Sequence, residues 1–290
     1  MPPSRANRTI GFTLVEMLVS MAVLALMVAM LGSMTSSVSR IWQSGNAQSD
    51  RRRNVRAIVD LISADLSGAL LPVDPKAEPS KPNLQFTLNP GTISEFYRNP
   101  DALFWQAPVA TDQSRGDVAQ IGYFVTWDTE ATPNNPRARL CRFFVNPTDP
   151  SNYRIYSDRT NWLNDAIIDQ VAPADNRMLE EQRAGWRGLL AEDVIGFWAR
   201  WQDVSGSQVS SYDSRVTLEL PRVVEISVVQ LDVTAALRVT PAMQASLSGL
   251  ASECADAGEF VNRLRDHPEF RPLISGTHST SASVRLENAR

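Results

Sequence analysis

Twenty residues from Phe12 to Leu31 read FTLVEMLVSMAVLALMVAML, with Glu16 as the single charge among them. At about 1.5 Å per residue a helix of that length rises roughly 30 Å, the hydrocarbon thickness of a bilayer, so the run is long enough to span one. Beyond it Val55, Ile58, Val59, Ile62, Leu66, Ala69 and Leu70 recur at spacings of three and four, which predicts an amphipathic helix. Val38, Ile41 and Trp42 join the two halves into a spine that would measure roughly 88 Å from Phe12 to Leu70. Gly32, Gly45 and the serine-rich stretch between them are poor helix formers and predict a kink or melted turn. Pro72, Pro75, Pro79 and Pro82 then end the helix and form a stiff linker.

From about residue 84 the pattern becomes that of strands. Runs rich in β-branched and aromatic residues predict strands at Leu84–Leu88, Val118–Trp127, Arg139–Val145, Val194–Trp201, Val223–Val233 and Ser283–Leu286. Turn-rich stretches separate them and helical patterns rarely do, which favours an antiparallel sheet. One late helix is predicted from Pro241 to about Arg265, on the spacing of Met243, Leu247, Leu250, Cys254, Val261 and Leu264. The expected fold class is α+β: a long N-terminal helix with a membrane part at 12–31 and an amphipathic part at 32–71, a linker at 72–83, and an antiparallel β-rich head at 84–290.

Composition narrows what the head does. The chain has 290 residues, 43% hydrophobic and 21% charged, ordinary values for a globular protein, with a formal net charge of −4. Binding to a phosphate backbone needs a concentrated positive surface, so nucleic acid is not an expected partner. Arg51, Arg52, Arg53 and Arg56 could form a lipid or nucleic-acid patch, but a solvated helix face paired with Asp50, Asp60 and Asp65 is the plainer reading.

The apolar run admits two readings. Arg5 and Arg8 resemble the basic start of a secretory signal peptide, but the run is longer than such a peptide's core and reaches Ser39 without a small-x-small cleavage signal. Glu16 within a span costs about 2.5–3.5 kcal/mol on insertion scales, so it either serves a function with a partner or lies close enough to the surface to reach headgroups.

Gly11-Phe12-Thr13-Leu14-Val15-Glu16 resembles the type IV prepilin motif: a short polar leader, a glycine before the cut, a phenylalanine after it, and a glutamate as fifth residue of the mature chain. The resemblance implies cleavage between Gly11 and Phe12 by a prepilin peptidase, methylation of the new N-terminus at Phe12, and residues 1–11 as the leader. It implies an inner-membrane, single-pass protein with a cytoplasmic leader and a periplasmic head. Glu16 would pair with the N-terminal amine of a neighbouring subunit and set register between helices. Ala25, Ala29 and Ser33 repeat every four residues as a small-residue stripe that lets helices approach closely.

The chain also resembles the J-type minor pseudopilin of type II secretion, through Ile58–Leu70 (IVDLISADLSGAL), Leu189–Trp201 (LLAEDVIGFWARW) and Leu220–Val224 (LPRVV). The large head, with Pro241–Pro268 and the C-terminal LENAR, is more similar to the prepilin-like family Verru_Chthon cassette protein C. Either resemblance implies a structural subunit, with the other major and minor pseudopilins, the inner-membrane assembly platform and membrane lipid as partners. A minor pilin of a type IV pilus or DNA-uptake system, and a membrane-tethered carbohydrate-binding protein, are the alternatives.

Chemistry is sparse. His267 and His278 lie within the last 24 residues and read as surface histidines. Glu180-Glu181 and Glu192-Asp193 are adjacent, so on a strand they point to opposite faces and read as solvated charges rather than an acid–base pair. There is no phosphate loop, dinucleotide loop or calcium loop, so neither catalysis, metal nor cofactor is expected. Trp105, Trp127, Trp162, Trp186, Trp198 and Trp201 would suit a sugar-binding face or, more simply, a core. Cys141 and Cys254 read as buried unpaired thiols, with a disulfide as the alternative.

Overall fold

The computed structural model describes scattered positions between 14 and 30, then 53–71, 84–173 except 131, and 187–289 except 203–206 and 218. Two compact units divide the chain, Met1–Asp50 and Arg51–Arg290. In the first, the described positions between 14 and 30 are helical and expose their apolar side chains, among them Leu14, Met21, Leu24 and Val28. No helix among the described residues is long and apolar enough to cross a membrane. The proposed kink at 32–45 and the linker at 72–83 lie outside the described residues.

The second unit begins with helix α1 at 53–67. Its predicted stripe is buried: Val55, Ile58, Val59, Ile62 and Leu66 face the core, while Arg53, Arg56 and Asp60 face water. The helix closes at Gly68, after which the Leu70 N–H donates to the Gln106 carbonyl at 2.9 Å. The Asn288 side chain donates to the Ala69 carbonyl at 2.9 Å, so the C-terminal residues hold the end of α1.

Among the described residues, ten strands form two antiparallel sheets. The six-stranded sheet runs β5-β4-β3-β2-β1-β8, from β1 (Thr87–Leu88), β2 (Ala102–Ala107), β3 (Ala119–Asp128), β4 (Arg137–Val145), β5 (Gly188–Glu192) and β8 (Tyr212–Asp213). The four-stranded sheet runs β10-β9-β6-β7, from β6 (Val194–Gln202), β7 (Gln208–Val209), β9 (Val223–Leu231) and β10 (Thr277–Arg285). They meet where Pro100 bridges Phe197, with the Asp101 N–H donating to the Phe197 carbonyl and the Phe197 N–H to the Asn99 carbonyl. Alternation sorts β2 cleanly: Leu103, Trp105 and Ala107 join α1, while Ala102 and Phe104 enter a second cluster beneath α2 (Asp165–Val171).

The architecture is therefore α+β with antiparallel sheets, consistent with a pilin-like head, and several local boundaries differ from the sequence reading. Strand β2 was not expected, because a strand buried on both faces loses the polar alternation that marks a half-buried one. The strand expected at Leu84–Leu88 shrinks to two residues, since the Gln85 and Phe86 N–H groups are taken by the Gln106 and Ser214 side chains. Strand β9 stops at Leu231, where Asp232 caps the short α4 (Val233–Ala236). Strand β10 runs from Thr277 rather than Ser283; its serines and threonines hide it from a hydrophobic pattern.

The late helix is two helices, α5 (Pro241–Glu253) and α6 (Ala257–Asp266), with a third short turn, α3 (Ser214–Thr217), earlier in the chain. Cys254 is extended, and Asp256 starts α6 by accepting from the Gly258 and Glu259 N–H groups. Trp198 fills the break: its indole N–H points to the carbonyls of Ala251 (3.2 Å) and Cys254 (3.1 Å), and its ring lies 5.2 Å from Phe260.

Gly122 on β3 faces Phe104, which also contacts Phe124 and Phe143. A Cβ at 122 would sit 2.0 Å from Phe104 Cδ1. Gly122→Ala is expected to destabilise the chain by about 1–3 kcal/mol through overpacking, measured by denaturant unfolding of the full chain in detergent. Phe104→Leu in the same chain should recover part of that loss, and an unchanged midpoint in the single variant would contradict the close approach.

Candidate functional site

Gly11, Phe12, Glu16, Ala25, Ala29 and Ser33 all lie outside the described residues, so the processing and assembly positions rest on sequence. What the structure does show is how helix α1 is fastened to the sheets. Asp65 is 8% exposed, and its Oδ2 accepts from Arg142 Nη2 (2.7 Å), Arg142 Nε (3.0 Å) and the Tyr123 hydroxyl (2.5 Å). Trp105 donates its indole N–H to the Asp65 carbonyl and stacks on Tyr123. The Arg142 guanidinium is fully buried and also lies 4.7 Å over the Phe144 ring. Burial lifts the Tyr123 phenol well above its ordinary value, so it stays a donor to the carboxylate.

This corrects the expectation that Asp65 belongs to a solvated face with Asp60, Arg53 and Arg56. The three others are exposed; Asp65 is inside. The signal was available in the phase of the helix, because Asp65 follows Ile62 by three and Ile58 by seven and so sits on the apolar stripe.

Asp193 is corrected likewise. Glu192 is exposed, but Asp193 is 4% exposed, in the turn between β5 and β6, at φ 63. Both its oxygens accept from Arg137 at 2.6 Å. Burial raises its carboxyl above the usual carboxylate range, against the opposing pull of Arg137. A third buried pair, Asp101 with Arg200, fastens the junction of the two sheets, with the Ala199 N–H donating to Asp101 at 2.9 Å. Glu180-Glu181 lie outside the described residues.

The tryptophans are chiefly core. Trp105, Trp127, Trp162 and Trp198 are buried and cannot offer a ring face to a sugar; Trp201 is half-buried against Tyr212, and Trp186 lies outside the described residues. Cys141 and Cys254 are free, buried thiols in different clusters, with burial pushing Cys141 up to about 12 and Cys254 up to about 11. His267 is exposed and His278 half-buried. Among the described residues no three side chains of His, Cys, Asp or Glu converge as metal ligands.

Against known families, residues 7–32 match the prokaryotic N-terminal methylation motif. No curated protein and no solved structure matches the chain. The matched segment contains Gly11, Phe12, Glu16, Ala25 and Ala29 and supports a type IV prepilin-like protein, with processing by prepilin peptidase and assembly with other pilins. It covers the N-terminal segment only, and the head is defined by its own geometry.

Proposed function

We propose that this chain is a minor pseudopilin-like structural subunit that assembles through its N-terminal helix into a type II secretion or related pseudopilus. The observation that carries the reading is the prepilin motif, in register with a glycine cut site, a phenylalanine and a glutamate five residues into the mature chain. The exposed apolar side chains between 14 and 30 support insertion in the inner membrane, since they need an apolar surrounding that water does not provide. The stretches similar to the J-type pseudopilin fall on α1, on the β5–β6 hairpin and at the start of β9. Under this reading the head is periplasmic, the partners are other major and minor pseudopilins and the assembly platform, and the work is assembly rather than catalysis.

Glu16 supplies the test. An ion buried alone in an apolar medium is costly, and pairing offsets that cost only in good geometry, so a Glu16 carboxylate meeting the Phe12 amine of a neighbour rewards one axial offset between helices. Glu16→Ala is expected to be inserted and cleaved normally, while its co-purification with partner subunits from crosslinked membranes falls about tenfold or more. Glu16→Asp should be intermediate because its arm is shorter. Undiminished co-purification of Glu16→Ala would reject the register mechanism and leave Glu16 as a residue reaching headgroups.

A further inference from the structure

β10 is the outer strand of the four-stranded sheet, and among the described residues no strand pairs with its free edge. The backbone groups on that edge can be assigned. Leu286 donates to the Arg222 carbonyl and Asp232 to the Gly276 carbonyl, while Leu231 donates away from β10, to Asp193. Hydrogen bonds to β9 therefore fall at even positions, 278 to 284, and the N–H and C=O groups of Thr277, Ser279, Ser281, Ser283 and Arg285 turn outward.

Natural sheets guard such edges with lysine, proline, a bulge or very short strands. β10 has none of these: it is nine residues long, pairs with β9 in unbroken register, and carries no formal charge before Arg285. Recesses open on both of its faces. One, of about 630 Å³, lies between β10 and α1 and is lined by Val55, Val59 and Ala282, with Arg56 and Asp60, one turn apart on α1 and opposite in charge, also lining it. The other, of about 340 Å³, reaches from Ser279 and Ser281 to the start of α6, where Glu225 and Asp256 line it. Arg200 also lines it, opposite Glu225 in the β6–β9 register and ion-paired with Asp101, so the two carboxylates leave the recess net acidic.

We propose that β10 is a docking edge for an extended segment of a partner protein, which adds as a further strand. Main-chain bonds to the outward groups hold it, and the two recesses read its alternating side chains. One recess takes aliphatic residues against Val55 and Val59, and the other takes basic residues against Glu225 and Asp256. The occupant is thus a strand in which aliphatic and basic residues alternate. This stands independently of the pseudopilin reading, because it needs only the edge and its two faces.

The test uses the full chain in detergent and a fluorescent, end-blocked peptide of four Lys-Val repeats. Saturable binding is expected, weakened about tenfold or more by Ser281→Pro, whose ring removes an outward N–H and leaves the β9 ladder intact. The wild-type chain should discriminate to the same degree against the peptide N-methylated at alternate residues, and against four Glu-Val repeats. Amide exchange at Ser279, Ser281 and Ser283 should slow on binding. Absence of binding at about 1 mM peptide, or equal binding of the N-methylated peptide, would overturn the proposal. So would a concentration-dependent dimer of the peptide-free chain that Ser281→Pro dissolves, since the edge would then belong to a second copy.

Discussion

Asp65→Ala is expected to destabilise the chain by about 3–5 kcal/mol, a large share of a domain's whole stability. The cost comes from what is left behind. Arg142 is fully buried, and the Asp65 carboxylate compensates it through two of its nitrogens. Without that carboxylate a buried guanidinium loses two charge-assisted bonds in the core between α1 and β4. Denaturant unfolding of the full chain in detergent measures the loss as a lower midpoint, and a loss below about 1 kcal/mol would contradict a compensating role. Replacing these three side chains with apolar ones, Asp65→Leu with Arg142→Met and Tyr123→Phe, should return most of the stability, because both charges of the buried pair are then gone. If the triple variant recovers while the single one does not, the network specifies how α1 seats on the sheet rather than adding stability.

Gly11→Leu is expected to abolish processing. A bulky side chain at the residue before the cut leaves the leader attached, and Arg5 and Arg8 remain on the chain. Mass spectrometry should find wild-type protein beginning at N-methylated Phe12 and the variant beginning at residue 1 or 2. The effect is all-or-none, unlike the graded loss at Glu16. Wild-type protein with an intact leader, or cut near Gly32, would remove the prepilin reading altogether.

How much of this was legible in the chain depended on which physical signal each element carries. The stripe of α1 was readable because helical period and burial coincide, and the strands β3, β4, β6 and β9 because aromatic and β-branched residues dominate them. β2 and β10 failed for opposite reasons: one is buried on both faces and shows no alternation, the other is so polar that no apolar signal rises. The break between α5 and α6 was invisible to spacing, because Cys254 continues the apolar period while its backbone is extended, and the reason lies on another element, in Trp198. The processing positions were legible because a motif is a local code. The buried pairs were not, since Asp65 meets Arg142 across 77 positions and Asp101 meets Arg200 across 99. Charge type alone does not say which side of the surface a residue ends on.

The contact between Asn288 and Ala69 spans 219 residues, the longest separation among the side-chain bonds of the described residues. It links the order of synthesis to the order of folding. Helix α1 leaves the ribosome before the strand partners of its stripe, and the residue that ties down its end follows it by 219 positions. Contacts that distant form slowly, and until they do the stripe of Val55, Val59 and Ile62 lacks its cover. A chain cut short before β2 therefore displays an uncovered apolar helix, the mark by which proteases and chaperones sort unfinished products, whereas one cut before Leu286 loses only the tie at the helix end. The arrival of distant strands is thus read out at the helix on which assembly would depend.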